Sequence, residues 1–413
     1  MAVVCPRGSS AFVCRVAEMM FEYRALHPLQ SLEHAILTAK PDFIVAVDDP
    51  VVDHLHELYD KAREDGPSGQ QIRELIERSL GDPAGFEIAH SRFKLLSLAR
   101  EEGILVPENA EIRDAADLEK WGQSQDLPWV VKMDGNSSGL GVRVVETLAQ
   151  AKRARRTLAG QPSSVYVAKR LIVNHDPFPA RPWLRRERSA ISVQAFIRGT
   201  PANISVAAWK GEVVGSFAVV VCQMLKQTGP ASVVRLVDNP AMRHAAERIA
   251  RRLKLTGFFG LDFMIEEGSG DAYLIELNPR VTQLCHLRLG PGRDLTSAIY
   301  EKLSGIPAVG TPTQISSDKI VIFPNAWMQN VGDEVIASGY HDVPWDDPEL
   351  LNEMLTPIWC NRGVVYSVVE WFRSLRRDGA RDSAQSYQRR ELRRPTRADS
   401  LPLVNSAKSD GSI

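Results

Sequence analysis

The sequence predicts a protein of the α/β class with more than one domain. Its 413 residues exceed what one ordinary hydrophobic core supports. In residues 1–90, short apolar runs alternate with helical patterns, which is typical of parallel strands connected by helices. The composition, 44% hydrophobic and 24% charged, is that of a globular chain. It excludes a disordered, collagen-like or disulfide-stapled protein.

Charge and cysteine content indicate the compartment and exclude several partners. Lys and Arg number 50 against 51 Asp and Glu, so no overall field attracts the chain to nucleic acid or to an anionic membrane. The most apolar windows, 213–222 and 257–265, are shorter than the roughly 18 residues of a membrane span, and the N-terminus lacks a signal-peptide pattern. Five cysteines without a C-x-x-C pair favour reduced thiols. We expect a cytoplasmic protein without nucleic-acid or membrane partners.

Residues 1–88 are predicted to form an N-terminal parallel α/β domain. Strands are predicted at 2–5 and 43–47, with a helix at 31–39 between them. Such domains usually open with a strand and a helix before this point, and here the chain begins directly on a strand. We therefore expect this domain to lack its first β-α unit.

A capped helix and two strands follow in the sequence. Ser91 is a typical N-cap for a helix at 92–102, and Gly103 is a typical stop. Strands are predicted at 129–133 and 142–145. The segment between these strands is the first that suggests chemistry.

That segment is the glycine-rich loop Asp134-Gly-Asn-Ser-Ser-Gly-Leu-Gly141. Its glycines and serines allow backbone N–H groups to converge on an anion. It lacks the Gly-Lys-Ser/Thr ending of a Walker A loop, and it joins strand to strand, unlike a Rossmann turn. A flexible hairpin tip would explain the loop alone equally well.

Lys132 shifts the balance toward anion binding. It lies inside the apolar strand 129–133, where a buried lysine requires a counter-charge. A phosphate held by the adjoining loop would supply that charge. The competing interpretation is that Lys132 extends to water or pairs with a carboxylate.

Two facing carboxylates give the stronger signal. If strands 257–265 and 272–278 form a hairpin in which Glu266 pairs with Ala272, Asp262 lies opposite Glu276, with Cβ atoms about 5 Å apart. Asn278 then lies on the same face. Two acids in an apolar sheet repel each other unless a cation or a proton lies between them, and oxygen ligands suit Mg²⁺. An exposed hairpin with outward-facing acids is the alternative.

Arg280 follows this hairpin immediately. A cation at this position could hold a transferring phosphoryl group or a substrate carboxylate. Arg280 is therefore our candidate catalytic residue.

Taken together, these segments resemble the ATP-grasp superfamily, and most closely its carbamoyl phosphate synthetase large-chain-like and D-alanine–D-alanine ligase-like members. The resemblance covers about residues 89–300, and the Glu-x-Asn-Pro-Arg ending at 276–280 is its most specific part. It is carried by Lys94, Lys132, the loop 135–141, Val193-Gln-Ala-Phe-Ile-Arg-Gly199, Gly260-Leu-Asp262 and Ile275-Glu-Leu-Asn-Pro-Arg280.

The resemblance implies a two-lobed fold with ATP between the lobes. The ATP-grasp domain would span 89–305, with a lid lobe at about 108–190 and a metal-binding lobe at about 191–305. An extension at 306–375 would follow. The composition of 376–413, rich in Lys, Arg and Ser, predicts a disordered basic tail.

The resemblance also implies the roles of individual residues. Mg²⁺ or Mn²⁺ would be held by Asp262, Glu276 and Asn278, and catalysis would depend on Arg280 and Lys132. Nucleotide contacts would come from Lys94, Lys132, Gly135, Ser137, Ser138, Gly139, Gly141, Gln194, Phe196, Ile197 and Asn203.

Two positions depart from the family pattern. Asn203 stands where many relatives carry a glutamate near the ribose, which puts its ribose contact in question. Gly260 stands where ligases of the D-alanine type carry arginine, which argues against D-alanine as the substrate.

The resulting functional hypothesis is a ligase dependent on ATP and Mg²⁺ that joins a carboxylate to an amine or thiol through an acyl phosphate. Its partners would be a small-molecule acid, a small-molecule amine and a second copy of the chain in a homodimer. Two alternatives stay open: a non-catalytic ATP-binding sensor module, and another ATP-grasp phosphoryl-transfer enzyme such as a small-molecule kinase or a biotin carboxylase-like protein.

Overall fold

Three β-sheets and the helices packed on them make up the part of the chain that the structure, a computed structural model, describes. The described residues are 1–6, 9–64, 66–134, 141–160, 163–164, 167–168, 180–185, 189–225, 229–307, 315–328, 334 and 337–355. The predictions for Gly135, Ser137, Ser138, Gly139, the last part of the extension (356–375) and the basic tail (376–413) fall outside these residues.

Two parallel strands and three helices form the N-terminal part. Ala2 on the first strand lies opposite Met19 on the second. The helices bury Leu55, Ile72 and Ile76 in a common core, because apolar residues recur at helical spacing along them. The elements are β1 (Ala2–Cys5), β2 (Met19–Glu22), α1 (Pro28–Ala39), α2 (Asp49–Lys61) and α3 (Gly66–Leu80).

The predicted strand at 43–47 is wrong. This segment belongs to no sheet, because its backbone groups find partners elsewhere. The N–H of Ile44 donates to the hydroxyl of Ser79 at 2.9 Å, and the carbonyl of Ala46 accepts from the N–H of Val281 at 3.1 Å. The partner of β1 is β2 instead. The segment thereby ties the N-terminal part to the chain that follows Asn278.

Two helices lead from this part into the rest of the molecule, α4 (Phe86–His90) and α5 (Arg92–Glu101). Ser91 caps α5, accepting from the N–H of Lys94 at 3.4 Å, which confirms the predicted start of this helix. Gly103 follows with a φ of 71°, a conformation that favours glycine at a helix end.

A four-stranded antiparallel sheet combines three strands of the predicted lid lobe with Ile191–Ala195, which lies at the start of the predicted metal-binding lobe. Its order is β3-β6-β4-β5, and two helices cover it, burying Leu118, Val131 and Val193. The strands predicted at 129–133 and 142–145 are confirmed. The elements are β3 (Asn109–Glu111), α6 (Ala115–Trp121), β4 (Trp129–Met133), β5 (Val142–Val145), α7 (Leu148–Ala159), α8 (Ala180–Arg185) and β6 (Ile191–Ala195).

A seven-stranded sheet carries the predicted carboxylates. Its order is β11-β10-β7-β8-β9-β12-β13, and neighbouring strands are antiparallel except β12 and β13. Its strands are β7 (Gly199–Trp209), β8 (Glu212–Met224), β9 (Ala231–Val237), β10 (Gly257–Glu266), β11 (Ala272–Asn278), β12 (Lys319–Val321) and β13 (Tyr340–His341). The remaining helices are α9 (Pro240–Leu253), α10 (Leu295–Ser304), α11 (Asn325–Met328) and α12 (Pro348–Leu355).

Helices α5 and α9 pack on one core of this sheet. The side chains of Leu95, Ile249 and Leu261 meet there, all nearly inaccessible to solvent. Helix α10 buries Leu295 in a second core. None of the described helices has both the length and the apolar character needed to cross a bilayer.

Candidate active site

The hairpin of β10 and β11 places Asp262 directly opposite Glu276, as predicted. The turn differs from the prediction, because Ala272 pairs with Ile265, one residue earlier on β10 than expected. A bulge beside Asp262 takes up the difference and restores the predicted pairing at the acids. Without it, one of the two acids would point to the opposite face of the sheet.

Two amide side chains hold the carboxylate of Asp262. Asn203, on the neighbouring strand β7, donates from Nδ2 to Oδ1 at 2.6 Å. Asn278 donates from Nδ2 to Oδ2 at 2.9 Å. Burial and the facing Glu276 raise the pKa of Asp262, and the two amides only partly offset them. The carboxylate therefore lies where additional positive charge would stabilise it.

Arg92 supplies the partner of Glu276. This guanidinium is only 7% exposed, and it donates from Nη2 to Oε1 of Glu276 and from Nη1 to the carbonyl oxygen of Met133. Its Nη1 also lies 3.5 Å from Oδ1 of Asp134, the first residue of the glycine-rich loop. Arg92 thus joins the four-stranded sheet to the carboxylate hairpin.

Lys94, and not Arg92, is the residue of this helix that was predicted to contact the nucleotide. Lys94 is exposed on the first turn of α5, where it pairs with Glu87. The spacing indicates Arg92, which lies three residues before the buried Leu95 and four residues before the buried Leu96. Residues at these spacings share one face of a helix. Lys94 does not share that face.

Lys132 is buried in β4 as predicted, with 5% of its surface exposed. Burial lowers its pKa to about 8, although Glu276 and Asp262 act in the opposite direction. The Arg92 cation contributes further to the lowering. Two buried cations and two acids therefore converge where the two sheets meet.

Arg280 contacts the N-terminal part of the chain. Its Nε lies 2.8 Å from Oδ1 of Asp49, and its Nη2 lies 3.2 Å from Oδ2 of the same residue, which is the first of helix α2. Its Nη2 also donates to Oδ1 of Asn278 at 3.3 Å. The predicted catalytic arginine is thus held beside a predicted metal ligand.

A cleft lies between α2 and the end of β11. Along its α2 side, Oδ1 of Asp53 accepts a hydrogen bond from Nδ1 of His90 at 2.7 Å. The opposite side carries Arg92 and Glu276. The lining consists of Asp49, Val52, Asp53, His56, His90, Arg92, Glu276, Leu277 and Pro279.

The predicted adenine contacts lie at the junction between the two larger sheets. Gln194 is buried on β6, and its Oε1 has no hydrogen-bond partner in the described part of the chain. Phe196, which is 37% exposed, and Ile197 follow in the connection to β7. Asn203 donates to Asp262, and its predicted contact with the nucleotide stays a prediction. Gly141 closes the loop hairpin by accepting from the N–H of Met133 at 3.0 Å.

The oxygen donors at this site fit a hard cation such as Mg²⁺. Asp262 and Glu276 face each other, while Asn278 directs its amide nitrogen at Asp262 and its Oδ1 at Arg280. Among the residues that the structure describes, no group of three or more His, Cys, Asp and Glu side chains could hold a metal ion. Asn278 would supply a third ligand only with its amide turned, so that the oxygen leaves Arg280 and faces the two acids.

Comparison with known proteins settles the fold. A family model described as an ATP-grasp domain matches residues 180–283, which include the carboxylate hairpin. Among solved structures, carboxyaminoimidazole ribonucleotide synthase from Aspergillus clavatus, complexed with ATP, is 15% identical, with a TM-score of 0.51 over 76% of this chain and 71% of that chain. The chain has the ATP-grasp fold. The α/β class and the two-lobed ATP-grasp architecture predicted from the sequence are confirmed.

Two further proteins that this chain resembles are longer than it is. The biotin carboxylase domain dimer of 2-oxoglutarate carboxylase from Hydrogenobacter thermophilus, in complex with MgADP, ADP and bicarbonate, is 13% identical, with a TM-score of 0.50. The match covers 71% of this chain and 61% of that chain. Urea amidolyase from Lachancea kluyveri is 23% identical over 299 residues, which are 71% of this chain and 14% of that enzyme. The chain thus spans less than two thirds of these relatives.

Proposed function

We propose that this protein is an ATP- and Mg²⁺-dependent ligase that joins a carboxylate to an amine or thiol through an acyl phosphate. The observation that carries the proposal is the pair of facing acids, Asp262 and Glu276, with the buried cations Arg92 and Lys132 beside them. Such a set of opposite charges suits a metal–triphosphate complex.

The nucleotide would lie between the four-stranded and seven-stranded sheets. Lys132 would contact its phosphates, and the loop 135–141 would add backbone N–H groups. The buried Oε1 of Gln194 would accept a hydrogen bond from the adenine amino group, which supports the predicted adenine position. The phosphate contact of Lys94 stays a prediction from the family resemblance.

Asp262, Glu276 and Asn278 would hold the metal. When bound, Mg²⁺ would supply positive charge that offsets the negative charge developing during phosphoryl transfer. Arg92 donates to Oε1 of Glu276 and holds this side chain in place. The amides of Asn203 and Asn278 orient Asp262.

Arg280 and Lys132 would stabilise the moving phosphoryl group. A substrate carboxylate oxygen would attack the γ-phosphorus, forming the acyl phosphate and releasing ADP. The nucleophile would then attack the acyl carbon, lose a proton and displace inorganic phosphate. The cleft beside Glu276 would admit the acid and the nucleophile.

The relatives favour one member of this reaction class. The two solved structures above are a carboxyaminoimidazole ribonucleotide synthase and a carboxylase domain, and the latter was crystallised with bicarbonate. Bicarbonate is therefore the first acid to test, and a biotin carboxylase-like reaction is the second candidate function. Amino acids are further candidates for the carboxylate substrate, because no residue pattern in the sequence limits which carboxylate is used.

Release of ADP and phosphate with Mg²⁺ tests the proposal. The carboxylate substrates supplied in this assay are bicarbonate and pools of amino acids, each with and without amines, thiols or biotin. We expect turnover only when an acid and a nucleophile are both present. Binding of ATP without turnover in every mixture would favour the sensor alternative and contradict the ligase.

Glu276→Gln sharpens this test. It removes one metal-binding charge and keeps the side-chain shape. Because loss of an essential electrostatic group typically lowers turnover about 100-fold or more, we expect a decrease of that size here. Full activity of this variant would argue against the metal assignment. The homodimer, the cytoplasmic location and the domain boundaries stay predictions.

A further inference from the structure

The cleft between α2 and the end of β11 contains a hydrogen-bonded pair of a histidine and an aspartate. Asp53, on helix α2, accepts at 2.7 Å from Nδ1 of His90, the last residue of helix α4. The two lie 37 residues apart in the sequence, so the packing of these helices brings them together. The side chains of His90 and Asp53 are 48% and 39% exposed, so a molecule in the cleft can reach the pair.

The hydrogen bond to Asp53 determines which nitrogen of the His90 ring can accept a proton. A neutral imidazole has one N–H and one nitrogen lone pair. Because Nδ1 directs its N–H at Asp53, the lone pair lies at Nε2, on the other side of the ring. Within the residues that the structure describes, Nε2 of His90 has no hydrogen-bond partner. The proton-accepting atom of His90 is therefore available to a ligand.

The charged groups around His90 make its ring a better base than an ordinary histidine. The hydrogen bond to Asp53 raises the pKa of His90 above its ordinary 6.5, and burial opposes this effect. The negative charge of Asp134 adds to the raise, whereas the Arg92 cation acts against it. His56, the other histidine of the cleft, is a weak base by comparison, because burial lowers its pKa to about 4.

The pair lies in the same cleft as groups proposed for phosphoryl transfer. His90 and Glu276 both line this cleft, and Arg92, two residues after His90, pairs with Glu276. A nucleophile that approached the acyl phosphate through the cleft would therefore lie beside the His90 ring. The other acids of the lining are less suited to accept its proton, since Asp49 is paired with Arg280 and Glu276 with Arg92.

We infer that His90 is the general base of the ligation step and that Asp53 is its positioning residue. As the amine or thiol attacks the acyl carbon, its N–H or S–H bond breaks and the proton passes to Nε2 of His90. The bond between the acyl carbon and the phosphate oxygen breaks, and its electron pair leaves with inorganic phosphate. Asp53 stabilises the imidazolium until the proton passes to water. The inference rests on the proposed function, because it assigns the proton acceptor of that reaction.

Isotope exchange in ATP separates the two steps of the reaction. ATP with ¹⁸O in its β,γ-bridge is incubated with the full chain, Mg²⁺ and either bicarbonate or the amino-acid pools, without a nucleophile. Movement of the label to non-bridging positions reports reversible formation of the acyl phosphate, and addition of the amine and thiol pools then measures ligation. In His90→Gln we expect exchange to continue and ligation to fall about 100-fold or more, which is the usual contribution of a general base.

His286→Gln is the matched control. His286 also contacts an aspartate, Asp342, at 2.6 Å, but neither residue lines the cleft. We expect exchange and ligation to be unchanged in this variant. Equal losses of exchange and ligation in His90→Gln would indicate general structural damage and would overturn the inference, as would full ligation in His90→Gln.

The pH dependence of ligation tests the role of Asp53. Ligation requires the unprotonated ring, so its rate should rise with pH through the pKa of His90. Asp53→Asn removes the charge that raises this pKa, so the rising part of the profile should move to lower pH. A contact that only held helix α2 in place would not move the profile. A rise at the same pH in both proteins would therefore refute the role of Asp53.

Acylation by diethyl pyrocarbonate measures the same pKa without turnover. The reagent reacts with unprotonated imidazole, and mass spectrometry of peptides locates the label at His90. The pH midpoint of this reaction should fall in Asp53→Asn, and an unchanged midpoint would count against the pair. If the protein without substitutions shows neither exchange nor ligation in any mixture, the proposed function fails and the inference falls with it. Exchange and ligation that both persist in His90→Gln would refute the inference alone.

Discussion

Arg92 and Glu276 form an ion pair in which the guanidinium is almost fully buried, although 184 residues separate the two in the sequence. Asp134 adds a second carboxylate 3.5 Å from the same guanidinium. The pair connects helix α5 to strand β11, so it is both a structural contact and part of the candidate active site.

Arg92→Met should destabilise the protein by about 3 kcal/mol, because removal of one partner leaves Glu276 and Asp134 without their buried counter-charge. Urea unfolding measures the free energy of unfolding. Arg92→Lys, which retains the charge, should cost less. Equal stability of Arg92→Met and the unmodified protein would contradict the assigned pairing.

Lys132 should make stability rise with pH on the alkaline side. Its pKa is about 8 in the folded chain, against an ordinary value of 10.5, so the unfolded chain binds more protons between these values. The stability of the unmodified protein relative to Lys132→Met should therefore increase from about pH 8 to 10.5, by roughly 3 kcal/mol in total. Denaturant titrations at several pH values measure it. A flat or falling difference would refute the buried position of this charge.

The pair of His90 and Asp53 should act in the opposite pH direction. The hydrogen bond to Asp53 raises the pKa of His90 above its ordinary 6.5, against the effect of burial. The pair therefore stabilises the folded chain fully below pH 6.5, and this contribution is lost as the pH rises through the folded pKa.

Asp53→Asn should thus lower stability at pH 5.5 more than at pH 8.5, by less than about 1 kcal/mol because both side chains are partly exposed. His90→Gln provides the control, in which Asp53→Asn should have no pH-dependent effect. A penalty that grows toward pH 8.5 would disagree with this assignment.

Gly260 is required by its neighbour Thr282. A Cβ atom at position 260 would lie 2.4 Å from the Thr282 methyl group, and the Thr282 hydroxyl is held by Ser205 at 2.7 Å, so the methyl cannot simply rotate away. Gly260→Ala should therefore cost about 1–3 kcal/mol of stability.

Thr282→Ser should relieve most of that cost in the double variant, since serine keeps the hydroxyl and lacks the methyl. Urea unfolding of the single and double variants measures the relief. If the double variant is no more stable than Gly260→Ala, the crowding has another source.

The sequence predicted the acidic hairpin well because alternation in β10 and β11 is a local property. The bulge beside Asp262 was not predictable, since two registers differ by one residue at the turn and only the packed sheet selects between them. The contact between Asp49 and Arg280 spans 231 positions and leaves no local pattern. The segment 43–47 has the composition of a strand, but its partners, Ser79 and Val281, are distant in the sequence.

The short strand β12 has a consequence for any shortened form of the protein. It pairs with β9 from Lys319 to Val321, and Ile322 donates from its N–H to the carbonyl of Ser232 at 2.9 Å. In a protein that ended at residue 305, β9 would become an edge strand with unsatisfied backbone groups and exposed valines. Exposed edge strands pair with strands of other chains. Such a truncated form should therefore self-associate rather than behave as an independent ATP-grasp module.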